Sequence, residues 1–195
     1  MVLTKNQKKV LRLLAVSVNK DYSINDIAKI VGVAPNGAYK ILKKFEKESI
    51  LVVKEIANIR SYKLNFENEN TTRWLELAFS DTLEGRERLR AEDLQILKSV
   101  SKACVIFGSY ITSKQKPSDL DVLFVLEKNT FDQYKKILMK VQDITPIKIQ
   151  DIIQTNIDLL QNIKINDPVI VGALRNGVVL WGIDVLVRVI KNAYR

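Results

Sequence analysis

The sequence predicts an α+β protein. Three helices and a β-hairpin form a head over residues 1–66, a helical connector spans 67–102, and a second, α/β domain spans 103–195. Three observations carry this. Apolar residues recur at helical spacing through the first third, which closes on two β-rich runs. Short β-rich runs flank Gly108-Ser109 and Asp119-Leu120-Asp121 in the second half. Charge is also unevenly spread: residues 1–66 carry 13 Lys/Arg against 5 Asp/Glu, whereas residues 67–195 carry 18 against 17. A basic front third on a nearly neutral remainder suggests a polyanion-binding module joined to something else.

Composition excludes much chemistry. The 195 residues contain no histidine and a single cysteine, Cys104. Histidine-based triads, HExxH metalloproteases and intrachain disulfides are ruled out, and thiolate metal clusters are disfavoured. Metal chemistry must then rest on carboxylates, which favours Mg2+ or Mn2+. No apolar run is long enough to span a bilayer, and the polar, basic start from Met1 to Lys9 lacks an apolar h-region. The expectation is a soluble, cytoplasmic protein.

In the head, Val10, Leu13, Leu14 and Val18 give the first helix, from Thr4 to Val18, one buried face. Ser23 caps a second helix with Asp26 as capping-box partner, and Gly32 ends it in a left-handed turn. Pro35 opens a third helix. Its core face is Ala38, Ile41, Leu42 and Phe45. Lys40, Lys43, Lys44 and Lys47 repeat the same spacing about 200° away, with Asn36 and Tyr39 flanking the helix start. A short helix, a tight turn and a basic helix make a helix-turn-helix. Residues 50–56 and 60–66 then read as a hairpin, with Arg60 near its tip.

The segments SINDIAKIVGVAPNGAYKILKKFEKESILVV and RSYKLN resemble the winged-helix domains of prokaryotic transcription factors. The resemblance implies DNA or RNA contact through Asn36, Tyr39, Lys40, Lys43, Lys44, Lys47 and Arg60. Lysines alone bind phosphates without reading bases. The other reading of the stripe is a solvated face on a protein-binding domain.

The connector has two helical patterns, Trp74, Leu75, Ala78, Phe79 and then Leu94, Leu97, Val100, with Arg86, Arg88 and Arg90 between them. These helices pack the domains together or form a dimer seam, and the arginines read as a solvated face.

The second domain opens with the strand Ala103–Phe107, which runs into Gly108-Ser109. Nine residues separate Ser109 from Asp119, and Val122–Leu126 continues as a strand. Alternate residues of a strand share a face, so Asp119 and Asp121 project together and can hold hard divalent cations. Such cations bridge the phosphates of a nucleoside triphosphate. Gly108 lets backbone approach a phosphate, and the Ser109 hydroxyl can donate to it. Asp151 interrupts the apolar alternation Ile147, Ile149, Ile153; it reads equally as a third metal-site carboxylate or as a strand-end residue facing water. Asp143 and Asp158 are weaker candidates, and Cys104 and Trp181 read as core.

The motif FGSYITSKQKPSDLDVLFV, residues 107–125, resembles the DNA polymerase beta-like nucleotidyltransferase superfamily, in particular its minimal prokaryotic members. The ending DPVIVGALRNGVVLWG, residues 167–182, is similar to the close of these domains. The whole arrangement resembles prokaryotic, especially archaeal, fusions of the two domains. The resemblance implies a nucleotidyltransferase-like domain with a mixed sheet. It further implies nucleotide contacts at Gly108, Ser109 and Ser118, metal binding by Asp119, Asp121 and Asp151, and catalysis by the same three aspartates. Mg2+ or Mn2+ is the implied cofactor and an NTP, foremost ATP, the substrate. Acceptors range over a partner protein, as for antitoxin-like members, an RNA end and a small molecule; a homodimer is a further expected form. The motif departs from its relatives at Ile111 and Ser113, in a loop where small residues are usual, and in a slightly shorter spacer. The alternative function is a DNA-binding transcriptional regulator whose second domain is inactive or only senses nucleotide.

Overall fold

A computed structural model describes residues 2–56, 59–83, 85–112 and 117–195. Among these, ten α-helices, a two-stranded hairpin and a four-stranded mixed sheet give the α+β class expected from the sequence.

The head is α1 (Lys5–Val16), α2 (Ile24–Val31) and α3 (Pro35–Lys47), followed by β1 (Leu51–Ile56) and β2 (Ile59–Leu64). Its local signals act as the sequence reading expects. Ser23 and Asp26 form a reciprocal capping box, Gly32 closes α2 at φ 76°, and Pro35 opens α3. Thr4 and Gln7 form a second capping box at α1. The hairpin pairs Leu51 with Leu64 through Ile56 with Ile59. Of Ala57-Asn58-Ile59, which the sequence offers as the turn, Ile59 instead begins β2, and Ala57 and Asn58 lie outside the described residues. Asp21 ties the α1–α2 loop to β2: it accepts from the Ser61 hydroxyl at 2.8 Å and pairs with Lys63 at 3.3 Å.

The connector does not stand apart from either neighbour. Helix α4 (Asn70–Phe79) packs on α1, and Trp74 meets Phe45 of α3 edge-on. After α5 (Gly85–Leu94) and a 3-10 turn (Gln95–Ser99), Leu94, Leu97 and Val100 enter a different core, beneath the sheet.

The sheet contains β3 (Ala103–Phe107), β4 (Asp119–Val125), β5 (Lys148–Gln154) and β6 (Val178–Trp181), in the order β5-β4-β3-β6. Only the β4–β5 pair is parallel. That crossover is made by α7 (Phe131–Ile144), whose Tyr134 and Val141 cover Cys104, Ile106, Val122 and Phe124 on one face. The other face carries Val105, Leu123 and Val125, and is covered by α8 (Asn156–Lys164), α9 (Pro168–Asn176) and α10 (Ile183–Ala193). A very short α6 (Ser109–Thr112) follows β3.

That second face shares its core with the head. Residues of α1 to α4 and of α8 to α10 form one continuous buried cluster. Polar contacts follow the same seam. The Tyr194 hydroxyl donates to Leu14 O, and the Asn19 amide donates to Lys164 O. Arg12, whose side chain is 7% exposed, donates to Ala78 O, Gly177 O and the Asp81 carboxylate.

Candidate active site

The aspartate pair sits at the start of β4, against the end of β3. Asp119 and Asp121 alternate with the buried Leu120 and Val122, so both lie on the face that continues into Leu123 and Val125. Across the antiparallel register, Phe107 is opposite Asp121, and the chain then turns at Gly108. Gly108 has φ 72°, and a Cβ there would come within 2.1 Å of Asp121 Oδ2. Two constraints therefore demand glycine: the left-handed backbone and the close approach of the carboxylate.

Asp121 is partly buried beside Asp119. Burial, and then the charge of Asp119, push its carboxyl above the usual range. This is the electrostatic condition that a divalent cation relieves, and the donors are the hard oxygens that Mg2+ and Mn2+ prefer, so the pair fits such an ion. The Ser118 hydroxyl donates to Asp119 Oδ2 at 2.7 Å, which spends it on orienting that carboxylate. Ser109 is exposed at the start of α6, and the Thr112 hydroxyl closes that turn by donating to Gly108 O at 2.9 Å. Of the two loop departures, Ile111 packs against the core beneath the sheet, and Ser113 lies outside the described residues.

Asp151 is not brought to this pair. In the parallel register it lies beside Val122, whereas Gln150 lies beside Asp121 and Lys148 beside Asp119. Paired residues of neighbouring strands share a face, so Asp151 points to the opposite side of the sheet. There it accepts from the Tyr134 hydroxyl at 3.0 Å, and burial together with this carboxylate pushes the Tyr134 phenol far up. Among the described residues no cluster of three or more carboxylates could hold a metal. Asp158 caps α8 in a box with Thr155, and Asp143 is exposed near the end of α7. Cys104 and Trp181 are buried as expected; the indole N–H donates to Ser101 Oγ at 3.2 Å.

The head's candidate residues fall into groups. Asn36, Tyr39 and Arg60 line one cleft of about 540 Å³ with Ser23, Asn25 and Pro35. Lys40 and Lys47 are exposed. Lys43 pairs with Glu46 at 2.7 Å, Arg60 pairs with Glu55 at 3.1 Å, and Lys44 lies over the Trp74 ring at 5.7 Å. The stripe is thus less free than its spacing suggests: Lys44 leans towards α4, and Lys43 and Arg60 are partly neutralised. Sequence reasoning also passed over Arg12. The signal was there, because Val10–Val16 is apolar all round except for that one guanidinium.

With this geometry in place, comparison with known families is decisive for one part of the chain. Residues 92–182 match the family model described as Polymerase beta, Nucleotidyltransferase. Over those residues the match supports a nucleotidyltransferase domain and a nucleotidyltransferase-type activity. It contains the Gly108-Ser109 turn, both strands that hold the aspartates, and β5. No curated protein and no solved structure matches the chain. No helix among the described residues is long and apolar enough to cross a membrane.

Proposed function

We propose that this protein transfers a nucleoside monophosphate from an NTP, ATP foremost, to an acceptor hydroxyl, and that its head is a winged helix that holds DNA or RNA. The observation that carries the first part is the shared face of Asp119 and Asp121, with Gly108 packed against Asp121 in a domain of matching family. Bound Mg2+ or Mn2+ would neutralise charge on the triphosphate. Asp119 and Asp121 hold that charge in place, Ser118 fixes the Asp119 carboxylate, and the exposed Ser109 hydroxyl is free to donate to a phosphate oxygen. The acceptor oxygen attacks the α-phosphorus, the bond to pyrophosphate breaks, and the hydroxyl proton leaves to water.

The test is label transfer. Purified protein, Mg2+ or Mn2+ and each labelled triphosphate are incubated with an extract of the source cell, beside Asp119→Asn/Asp121→Asn. Label on a protein, RNA or small molecule that requires the aspartates is the expected result and identifies the acceptor. A second reading, a DNA-binding regulator that senses nucleotide without transferring it, is favoured by Asp151 facing away from the pair. Aspartate-dependent triphosphate binding with no label on any acceptor would select it.

A further inference from the structure

The β5 flank of the aspartate pair has its own chemistry. The residues that share the pair's face on β5 are Lys148 beside Asp119 and Gln150 beside Asp121. Neighbouring strands lie about 4.8 Å apart, within reach of a common ligand. Both side chains are exposed and uncommitted to the core. The next residue on that face, Ile152, is apolar, lies beside Leu123 and packs into the core. The β3 flank offers Phe107 and then Gly108, neither with a polar side chain.

We propose that Gln150 and Lys148 complete this site, and that they limit it to one divalent cation per bound triphosphate. The inference rests on the metal–nucleotide reading of Asp119 and Asp121. The Gln150 amide oxygen is the third protein oxygen for that cation, and the Lys148 ammonium meets phosphate oxygens. Six-coordinate Mg2+ is satisfied by two carboxylates, one amide, phosphate oxygens and water. A second cation, about 4 Å away in two-metal sites, needs further carboxylate oxygens. β5 supplies an amide and a positive charge in their place. The flank thus favours holding a single metal–triphosphate complex.

The experiment counts metal on the full-length chain. Mn2+ is titrated by electron paramagnetic resonance in the presence of α,β-methylene ATP, which cannot transfer its nucleotide. One Mn2+ per bound analogue is expected in the wild type and two in Gln150→Asp. Gln150→Ala should weaken Mn2+ binding about tenfold, the loss of one polar contact to a charged partner. Lys148→Ala should weaken analogue binding by a similar factor without weakening Mn2+ binding in its absence. Two Mn2+ per analogue in the wild type, with binding abolished by Asp121→Asn, would overturn this proposal and leave the metal–nucleotide reading standing. Unchanged affinity in Gln150→Ala would overturn it as well. No Asp121-dependent binding of either probe would overturn both.

Discussion

Replacing Arg12 by alanine should destabilise the whole chain, not the head alone. The guanidinium donates through Nε to Ala78 O at 2.8 Å, through Nη1 to Gly177 O at 2.7 Å, and through Nη2 to Asp81 Oδ2 at 2.5 Å. It also stacks over Phe79 at 5.0 Å. Ala78 O belongs to the last turn of α4, where carbonyls lack helical partners and a cation is favoured. Gly177 lies between α9 and β6, so one side chain joins α1, the connector and the nucleotidyltransferase domain. Alanine leaves the two buried carbonyls without that donor and Asp81 with Lys8 alone, at 3.4 Å. A buried carbonyl left unsatisfied costs about 1–3 kcal/mol, so the two together cost about 2–6 kcal/mol. At roughly 2–4 °C per kcal/mol for a chain of this size, Tm should fall by about 10 °C. Thermal unfolding followed by circular dichroism measures this, and the variant should still melt in one transition because the core is shared. A fall under about 2 °C, or separate melting of the head, would refute the reasoning.

Four further outcomes follow from the same geometry. Gly108→Ala should abolish Asp121-dependent Mn2+ binding while the fold persists by circular dichroism, since its Cβ would occupy the space of Asp121 Oδ2. Asp121→Asn should raise the Tm of the metal-free protein. The native Asp121 carboxyl is pushed up, so the native state holds the proton more tightly and its contribution to stability falls as pH rises from the ordinary carboxylate range through the raised value; the Tm of the variant minus that of the wild type should therefore widen as pH rises between 3 and 7. Asp21 is shifted the other way, first by the Ser61 hydroxyl and then by Lys63 and Lys54. Its contribution is present above the ordinary carboxylate range and lost as pH falls through the lowered value, so Asp21→Asn should lower Tm at pH 7 and match the wild type in strong acid. In the head, Lys40→Ala and Lys47→Ala should each weaken DNA binding across sequences and reduce the salt slope by about one, with Lys44→Ala milder because Lys44 leans over Trp74; fluorescence anisotropy at several salt concentrations reads both.

Legibility in the sequence tracked the range of the interaction that decides each feature. Caps are settled within four residues, and Ser23, Asp26, Gly32 and Pro35 could be read directly. The shared face of Asp119 and Asp121 is a property of one strand and was equally readable. Asp151 was not, because alternation within β5 groups Asp151 with Ile149 and Ile153 but does not say which face of β4 that group joins. The parallel register decides it, and a shift by one residue would have put Asp151 in place of Gln150 beside Asp121. The lysine stripe was legible as periodicity, whereas Glu46 and Trp74, which engage two of its members, are set by packing.

The shared core bears on how the two activities proposed here would communicate. Charge asymmetry alone does not distinguish tethered modules, each working alone, from modules packed together by the connector. The buried cluster running from α1 through α4 into α8, α9 and α10 packs them directly together. Arg12 and Tyr194 add polar contacts across the same seam. If occupation of the aspartate site favours one arrangement of α9 and β6, the Arg12 contact with Gly177 is the link through which α1, and the head packed on it, would respond. By linkage, nucleic acid held there would change triphosphate affinity by the same factor. Measuring the Kd of α,β-methylene ATP with Mn2+, with and without saturating DNA, in the wild type and in Arg12→Met, separates the cases. Reciprocal coupling that is lost in Arg12→Met places the connection at this seam; equal affinities with and without DNA show a rigid core that carries no signal.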